Sequence, residues 1–298
     1  MRRIRMLVPL GAVVVCSLAL SSCDDEEGSA KDGRPGASAS AGDHDDFLAR
    51  TVDRGAGRRQ VLAFEVTAGD RSTTTYDITV DVAIDDHPSV AVPLTVVQTT
   101  EVLDVGDLLS TVRTKIESVE VDQGRTTPEV ARSLESQFSP AEGAVITRRL
   151  TPSGEPLDMD YPSERPAMME GLRALNSIPG LPMQTEQLFF PAEAVGVGAK
   201  WRVVFSKESS ARPADTVVTY RLEELDGDDF RISYRMTGDY PPDVYGSFDG
   251  SGDIRGSFAS FAPTSLVGDS KGEDKEEVDG SSVHVTSQAH FEVTTTSR

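Results

Sequence analysis

The chain has 298 residues, 49 acidic against 29 basic, and a formal net charge of −20 at pH 7. Acidity of that size repels phosphate backbones and anionic headgroups, so it argues against a nucleic-acid partner and against adsorption of the body itself to a membrane. Both cysteines, Cys16 and Cys23, lie near the start, so the rest of the chain has no thiol for a disulfide, a nucleophile or a cysteine-based zinc site.

Residues 1–22 read as an export signal: Arg2, Arg3 and Arg5, then the apolar run "LVPLGAVVVCSLAL" at 7–20. That run is shorter than the about 20 residues a helix needs to span a bilayer. Leu20-Ser21-Ser22-Cys23 resembles the bacterial lipobox. The resemblance implies that Cys23 is lipidated and becomes the new N-terminus. A diacylglyceryl group there would anchor the protein firmly. Residues 24–46, rich in Gly, Ala, Ser and Asp, have no apolar periodicity and suit a disordered acidic tether. The expected location is outside the cell, lipid-anchored to the outer face of the cell membrane, or to the periplasmic face of the inner membrane in a Gram-negative cell.

From residue 47 to 298 one β-rich domain is expected, with 47–180 and 181–298 as candidate halves. Tyr76, Ile78, Val80, Val82 and Ile84 alternate with polar residues, as in a half-buried antiparallel strand. Val90, Val92, Leu94 and Val96 continue the pattern, with Pro93 on the other parity suggesting an edge or a bulge. Val112 and Ile116 share a face; Val119 and Val121 switch parity, which suggests a bulge. Thr127-Pro128-Glu129 starts a helix that carries Val130, Leu134 and Phe138 on one side and stops at Pro140. A second helix runs from Pro166 to about Ser177, with Met168, Leu172 and Leu175 on one face. Between the helices, "VITRRLTPSGEPLDMDY" reads as a hairpin.

After the second helix the period of two returns. Trp201, Val203 and Phe205 share a face, behind the glycines 196 and 198. Val218, Tyr220 and Leu222 lead into the turn "DGDD" at 226–229, and Phe230, Ile232, Tyr234 and Met236 lead out. Gly250, Gly252 and Gly256 share parity with Phe248, Ile254 and Phe258, which suggests curvature or bulges. The acid run 273–277 reads as a solvated loop, and Val283, Val285, Ala289, Phe291 and Val293 form a last strand. The sum is a mainly β (α+β) fold: a curved antiparallel sheet or half-barrel of about ten or eleven strands with two short helices.

No stretch carries a recognisable catalytic constellation. His284 and His290 share a strand face expected to point to solvent, and His87 sits in a turn. "GSGDIRG" at 250–256 lacks the following helix that a dinucleotide loop requires. No pair of histidines has metal-ligand spacing, and no acidic run has the spacing of a calcium loop, so no metal and no cofactor are expected. "LFFPAEAVGVGAKWRVVF" at 188–205 reads as a glycine-bearing loop entering a strand, with Trp201 as a core anchor and Phe189 and Phe190 as candidate ligand contacts.

The segment "PAEAVGVGAKW", the strand "GSGDIRGSF" and the closing "DGSSVHVT" resemble a family of lipoproteins common in actinobacteria, which pair a lipobox and a polar tether with a β-rich body. That resemblance implies the fold but no activity. The sequence reading is therefore a membrane-anchored, non-enzymatic envelope lipoprotein with a binding or protein-interaction role. Its partners would be the membrane, through the Cys23 lipid, and an envelope protein. The alternative is a carrier of a lipid or other apolar ligand in a half-barrel cavity lined by Met168, Leu172, Phe189 and Phe190. A hydrolase is the third reading, with no residues to nominate.

Overall fold

Strand β3 (Arg71–Ile84) shows how the sequence builds the sheet: Tyr76, Ile78, Val80, Val82 and Ile84 are buried, and Asp77 and Asp81 are exposed. The computed structural model describes residues 49–85, 87–161, 165–176, 178, 188–205, 215–239, 245–278 and 281–297. From β3 the chain meanders outward through β4 (Val90–Val105), β5 (Ser110–Val121), β6 (Val145–Leu150) and β7 (Pro156–Asp160). A second meander comprises β9 (Lys200–Phe205), β10 (Asp215–Asp226), β11 (Asp229–Asp239), β12 (Tyr245–Ser257), β13 (Ser265–Val278) and β14 (Ser281–Ser297). β14 then pairs along β3, from Val285↔Ile84 to Ser297↔Ser72, and so joins both meanders into one sheet.

Among the described residues, with β1 (Arg50–Asp53) added beside β9, the sheet has 12 strands in the order β1-β9-β10-β11-β12-β13-β14-β3-β4-β5-β6-β7. Every neighbouring pair is antiparallel, and among these residues the sheet is open, with β1 and β7 as its edges. A short ribbon of β2 (Ala56–Gln60) and β8 (Val195–Val197) lies beside it. Helix α1 (Pro128–Phe138) is capped by Thr127, whose hydroxyl accepts from the Val130 N–H, and continues into a 3-10 turn at Ser139–Ala141. Helix α2 (Pro166–Asn176) packs on that turn; Gly171 permits the contact, because a Cβ there would lie 2.5 Å from the Ala141 nitrogen. Buried residues from both helices, segment 188–190 and strands β3–β5 and β9–β14 form one hydrophobic core.

The strand count exceeds expectation because β1, β2 and β8 are short and β13 is almost without apolar residues. The bulge foreseen before Val119 is present: Val97 faces Ser118 and Gln98 faces Ile116, which leaves Glu117 extra. Pro93 corrects its expectation, since β4 is internal and its register with β3 is regular there. The Pro93 carbonyl accepts from Asp122 N–H, so its missing donor points to the β5 side, where the β5 ladder has already ended at Val121. No bulge was needed to place this proline.

For the glycines of β12 the bulge alternative is corrected: the β11–β12 and β12–β13 registers run without a shift, so no bulge is present along them. Each inward glycine instead lies beside a large side chain: Gly250 beside Met236, Gly252 beside Tyr234, Gly256 beside Phe230, Gly268 beside Phe291 and Gly272 beside Phe248. A Cβ on Gly252 would lie 2.8 Å from the Tyr234 ring and one on Gly268 2.6 Å from the Phe291 ring. The missing side chains make the floor on which the rings lie. Lastly, 273–277, expected in a solvated loop, belong to strand β13.

Candidate functional site

The interior was the first candidate. Segment 188–191 is buried throughout. The Phe190 ring sits 5.0 Å from Phe64, 5.6 Å from Phe230 and 5.5 Å from Phe258, and Phe189 sits 5.5 Å from Phe205. Trp201 is fully buried, stacks on Tyr220 at 5.5 Å and donates its indole N–H to the Phe189 carbonyl at 2.6 Å. Trp201, Val203 and Phe205 share the buried face, as the alternation implied. Met168 and Leu172, presented by α2, are buried in the same core as Phe189 and Phe190. These four candidate ligand contacts thus have the chain's own side chains as neighbours. Leu20, Ser21, Ser22 and Cys23 lie outside the described residues.

One end of the inner face is polar. Gln98 Nε2 donates to the Tyr76 hydroxyl at 2.8 Å, Thr100 and Thr114 hydroxyls meet at 3.2 Å, and Arg148 Nη2 donates to Thr114 Oγ1 at 2.8 Å. Arg148 is buried, and desolvation pushes its guanidinium down to about 10. The nearby Tyr161 hydroxyl is raised, mainly by burial. Beside Arg148 is a cavity of about 10 Å³, lined by Phe64, Thr100, Leu150, Gly154, Phe261 and Ala262. That is room for a single water. Arg148 was not nominated from sequence, although it shares the parity of Ile146 and Leu150 in "VITRRL"; an arginine between two apolar residues of one parity was the available signal.

On the outer face, His284 and His290 are exposed. His290 Nδ1 lies 2.8 Å from Asp269 and Nε2 3.6 Å from Glu292. The Asp269 hydrogen bond raises its pKa above the usual histidine value. Among the described residues no three His, Cys, Asp or Glu side chains converge to hold a metal ion. Asp274 points inward from β13, and burial raises its carboxyl pKa. The Tyr234 hydroxyl is buried without a hydrogen-bond partner among the described residues.

The edge at β1 has a different character. β1 and β9 continue through a corner into β2 and β8. Gly55 makes the corner at φ +70; a Cβ there would lie 2.5 Å from the Ala199 nitrogen, and Gly198 follows at φ +86. Arg50, Arg54, Arg58, Arg59, Lys200 and Arg202 are all exposed along this ribbon. Sequence reasoning missed the cluster because its members come from two segments about 150 residues apart, paired by Arg50↔Arg202 and Asp53↔Lys200.

No family model matches the chain, and no curated protein matches it. Similar solved structures include lipovitellin, at 12% identity and TM-score 0.44, covering 76% of this chain and 25% of that one. Others are Rv2717c from M. tuberculosis, at 9% identity and TM-score 0.22 with 75% and 91% coverage, and an outer membrane channel from Pseudomonas putida F1, at 8% identity and TM-score 0.19 with 78% and 98% coverage. The chain spans a quarter of the lipovitellin chain it matches. Similarities of this size support no statement about activity.

Proposed function

We propose that the chain is a lipid-anchored protein of the bacterial envelope, held at the membrane through Cys23, whose β-rich body acts by binding rather than by catalysis. The observation that carries this reading is the packing of the inner face. The apolar faces of its two helices and the Phe189–Phe190 segment are buried in one core with the sheet, so recognition falls to the outer surfaces and to the open edges β1 and β7. A sheet edge offers unpaired N–H and C=O groups to a partner strand. β7 carries Pro156, Asp158 and Asp160, features that discourage indiscriminate pairing and leave a selective partner as the occupant. The anchor rests on the lipobox-like Leu20-Ser21-Ser22-Cys23 behind its apolar run, and the resemblance to actinobacterial lipoproteins agrees with it.

The carrier alternative would require Met168, Leu172, Phe189 and Phe190 to separate around a ligand, at the cost of burying less of their own apolar surface. Fractionation of the native host tests the leading reading. Wild type should sediment with membranes, resist a high-salt wash and be released by detergent, whereas Cys23→Ser should be released by the high-salt wash alone. Salt-resistant membrane association of Cys23→Ser would refute the anchor. Organic extraction of the purified wild type should yield no stoichiometric free lipid; a discrete co-purifying lipid would favour the carrier.

A further inference from the structure

The net charge conceals a segregation. The ribbon of β1, β2, β8 and β9 exposes six cations, Arg50, Arg54, Arg58, Arg59, Lys200 and Arg202. Its acids are Asp53, whose carboxylate accepts the Gly55 N–H, and Glu193, which is hydrogen-bonded by Thr51. Among the described residues no carboxylate lies within salt-bridge distance of any of the six, whereas Arg71, Arg113, Arg149, Arg221 and Arg231 are each taken up by acids elsewhere. The same ribbon exposes four valines: Val52 at 64%, Val61 at 61%, Val197 at 44% and Val204 at 47%. Meanwhile the exposed face of β12, β13, β14 and β3, in the middle of the sheet, carries Asp77, Asp81, Asp249, Asp253, Asp269, Glu273 and Glu292 against Arg255, Lys271 and Lys275, and so stays acidic.

Cations outside salt-bridge distance of any described carboxylate, with Arg54 near Glu193 and Arg59 donating to the Gly55 carbonyl, interleave with exposed apolar side chains and suit the interface of an anionic bilayer. The charges attract acidic headgroups, and short apolar side chains enter the headgroup layer. The acidic middle of the sheet would be repelled and would orient the body with this edge down. The ribbon is also the first part of the body after residues 24–46, so a lipid on Cys23 would deliver it to the surface at high effective concentration.

We propose that the β1–β2/β8–β9 ribbon is a membrane-docking edge that binds anionic phospholipid headgroups. This corrects the inference from total charge that the body stays off the membrane, because headgroups within a Debye length sense local charge. The orientation part of the proposal rests on the anchored reading; the affinity of the ribbon for anionic lipid does not.

The test uses the full chain with vesicles of phosphatidylcholine, alone or mixed with phosphatidylglycerol, read by co-flotation and by hydrogen exchange. The expected result is slower amide exchange in 50–61 and 195–204 only when phosphatidylglycerol is present, with 265–275 unchanged. Arg58→Gln/Arg59→Gln/Arg202→Gln removes three cations, each worth about fivefold in surface affinity, and should weaken the phosphatidylglycerol-dependent binding of the Cys23→Ser chain by roughly 100-fold. Equal exchange in both lipids, or protection on β13 instead of the ribbon, would overturn the proposal. Failure of the anchor has a separate signature: flotation with phosphatidylcholine alone is lost while the phosphatidylglycerol-dependent protection remains.

Discussion

Gly268→Ala tests whether the inward glycines of β12 and β13 are there to seat aromatic rings. Gly268 lies in an ordinary strand between Phe291 of β14 and Gly252 of β12, and its φ is not positive, so alanine meets no backbone objection. An added Cβ would lie 2.6 and 2.7 Å from two Phe291 ring carbons, and also against the Tyr234 hydroxyl; ordinary contact begins at 3.4 Å. Phe291 is fully buried and Tyr234 nearly so, which leaves little room to yield. Overpacking of this kind costs about 1–3 kcal/mol. The loss of glycine's unfolded-state freedom returns about 0.4–1 kcal/mol. The net destabilisation is up to about 2.6 kcal/mol, and about 1.3 kcal/mol at the midpoints of the two ranges, or a Tm lower by roughly 3–5 °C for a domain of this size.

Chemical and thermal unfolding followed by fluorescence of Trp201, the chain's sole tryptophan, provides the assay. Tyr234→Phe removes the hydroxyl nearest to the new methyl, so Gly268→Ala should cost at least about 0.5 kcal/mol less in that background. A neutral or stabilising Gly268→Ala, or costs that simply add, would refute the steric account.

Four further results are expected. Tyr234→Phe alone should stabilise by about 1 kcal/mol in urea unfolding, because it deletes a buried hydroxyl with no hydrogen-bond partner among the described residues. Trp201→Phe removes the indole hydrogen bond to the Phe189 carbonyl, worth about 0.5–1.5 kcal/mol, and packing is lost in addition; the destabilisation is measured by thermal unfolding followed by circular dichroism. Thr127→Ala should cost about 1 kcal/mol and raise hydrogen exchange in the first turn of α1. The raised His290 pKa predicts stability that is fully present below the unfolded value of 6.5 and lost as pH rises through the higher folded value; unfolding midpoints from pH 6 to 8 should show that decline, and His290→Gln should flatten it.

Much of the fold was legible because one face of the sheet is buried and the other wet. That asymmetry writes a period of two into β3, β9, β10, β11 and β14, and Thr127-Pro128 marks the α1 start by capping chemistry. β13 escaped because its inward positions are Leu266, Gly268, Ser270, Gly272 and Asp274. Small residues occupy them where neighbouring rings fill the space, so the apolar signal sits on the partner strands. β1 and β2 escaped because "RTVD" and "AGRRQ" have almost no buried face. The cationic ribbon escaped for a different reason: total charge averages over position, and only the pairing of residues 50–60 with 195–202 brings the cations together. Arg148 could have been found by parity, yet its partner Thr114 comes from another strand, which no local pattern announces.

Native mass spectrometry of the mature protein, extracted gently from the membranes of its own host, tests the account most directly. The account predicts a chain that begins at Cys23, carries the mass of a diacylglyceryl group or more on that residue, and holds no other ligand. A chain that retains residues 1–22 or an unmodified Cys23 would contradict the anchor, and a noncovalent lipid-sized mass that survives a high-salt wash, which strips headgroups held at the cationic edge, would contradict a binding role confined to the outer surfaces.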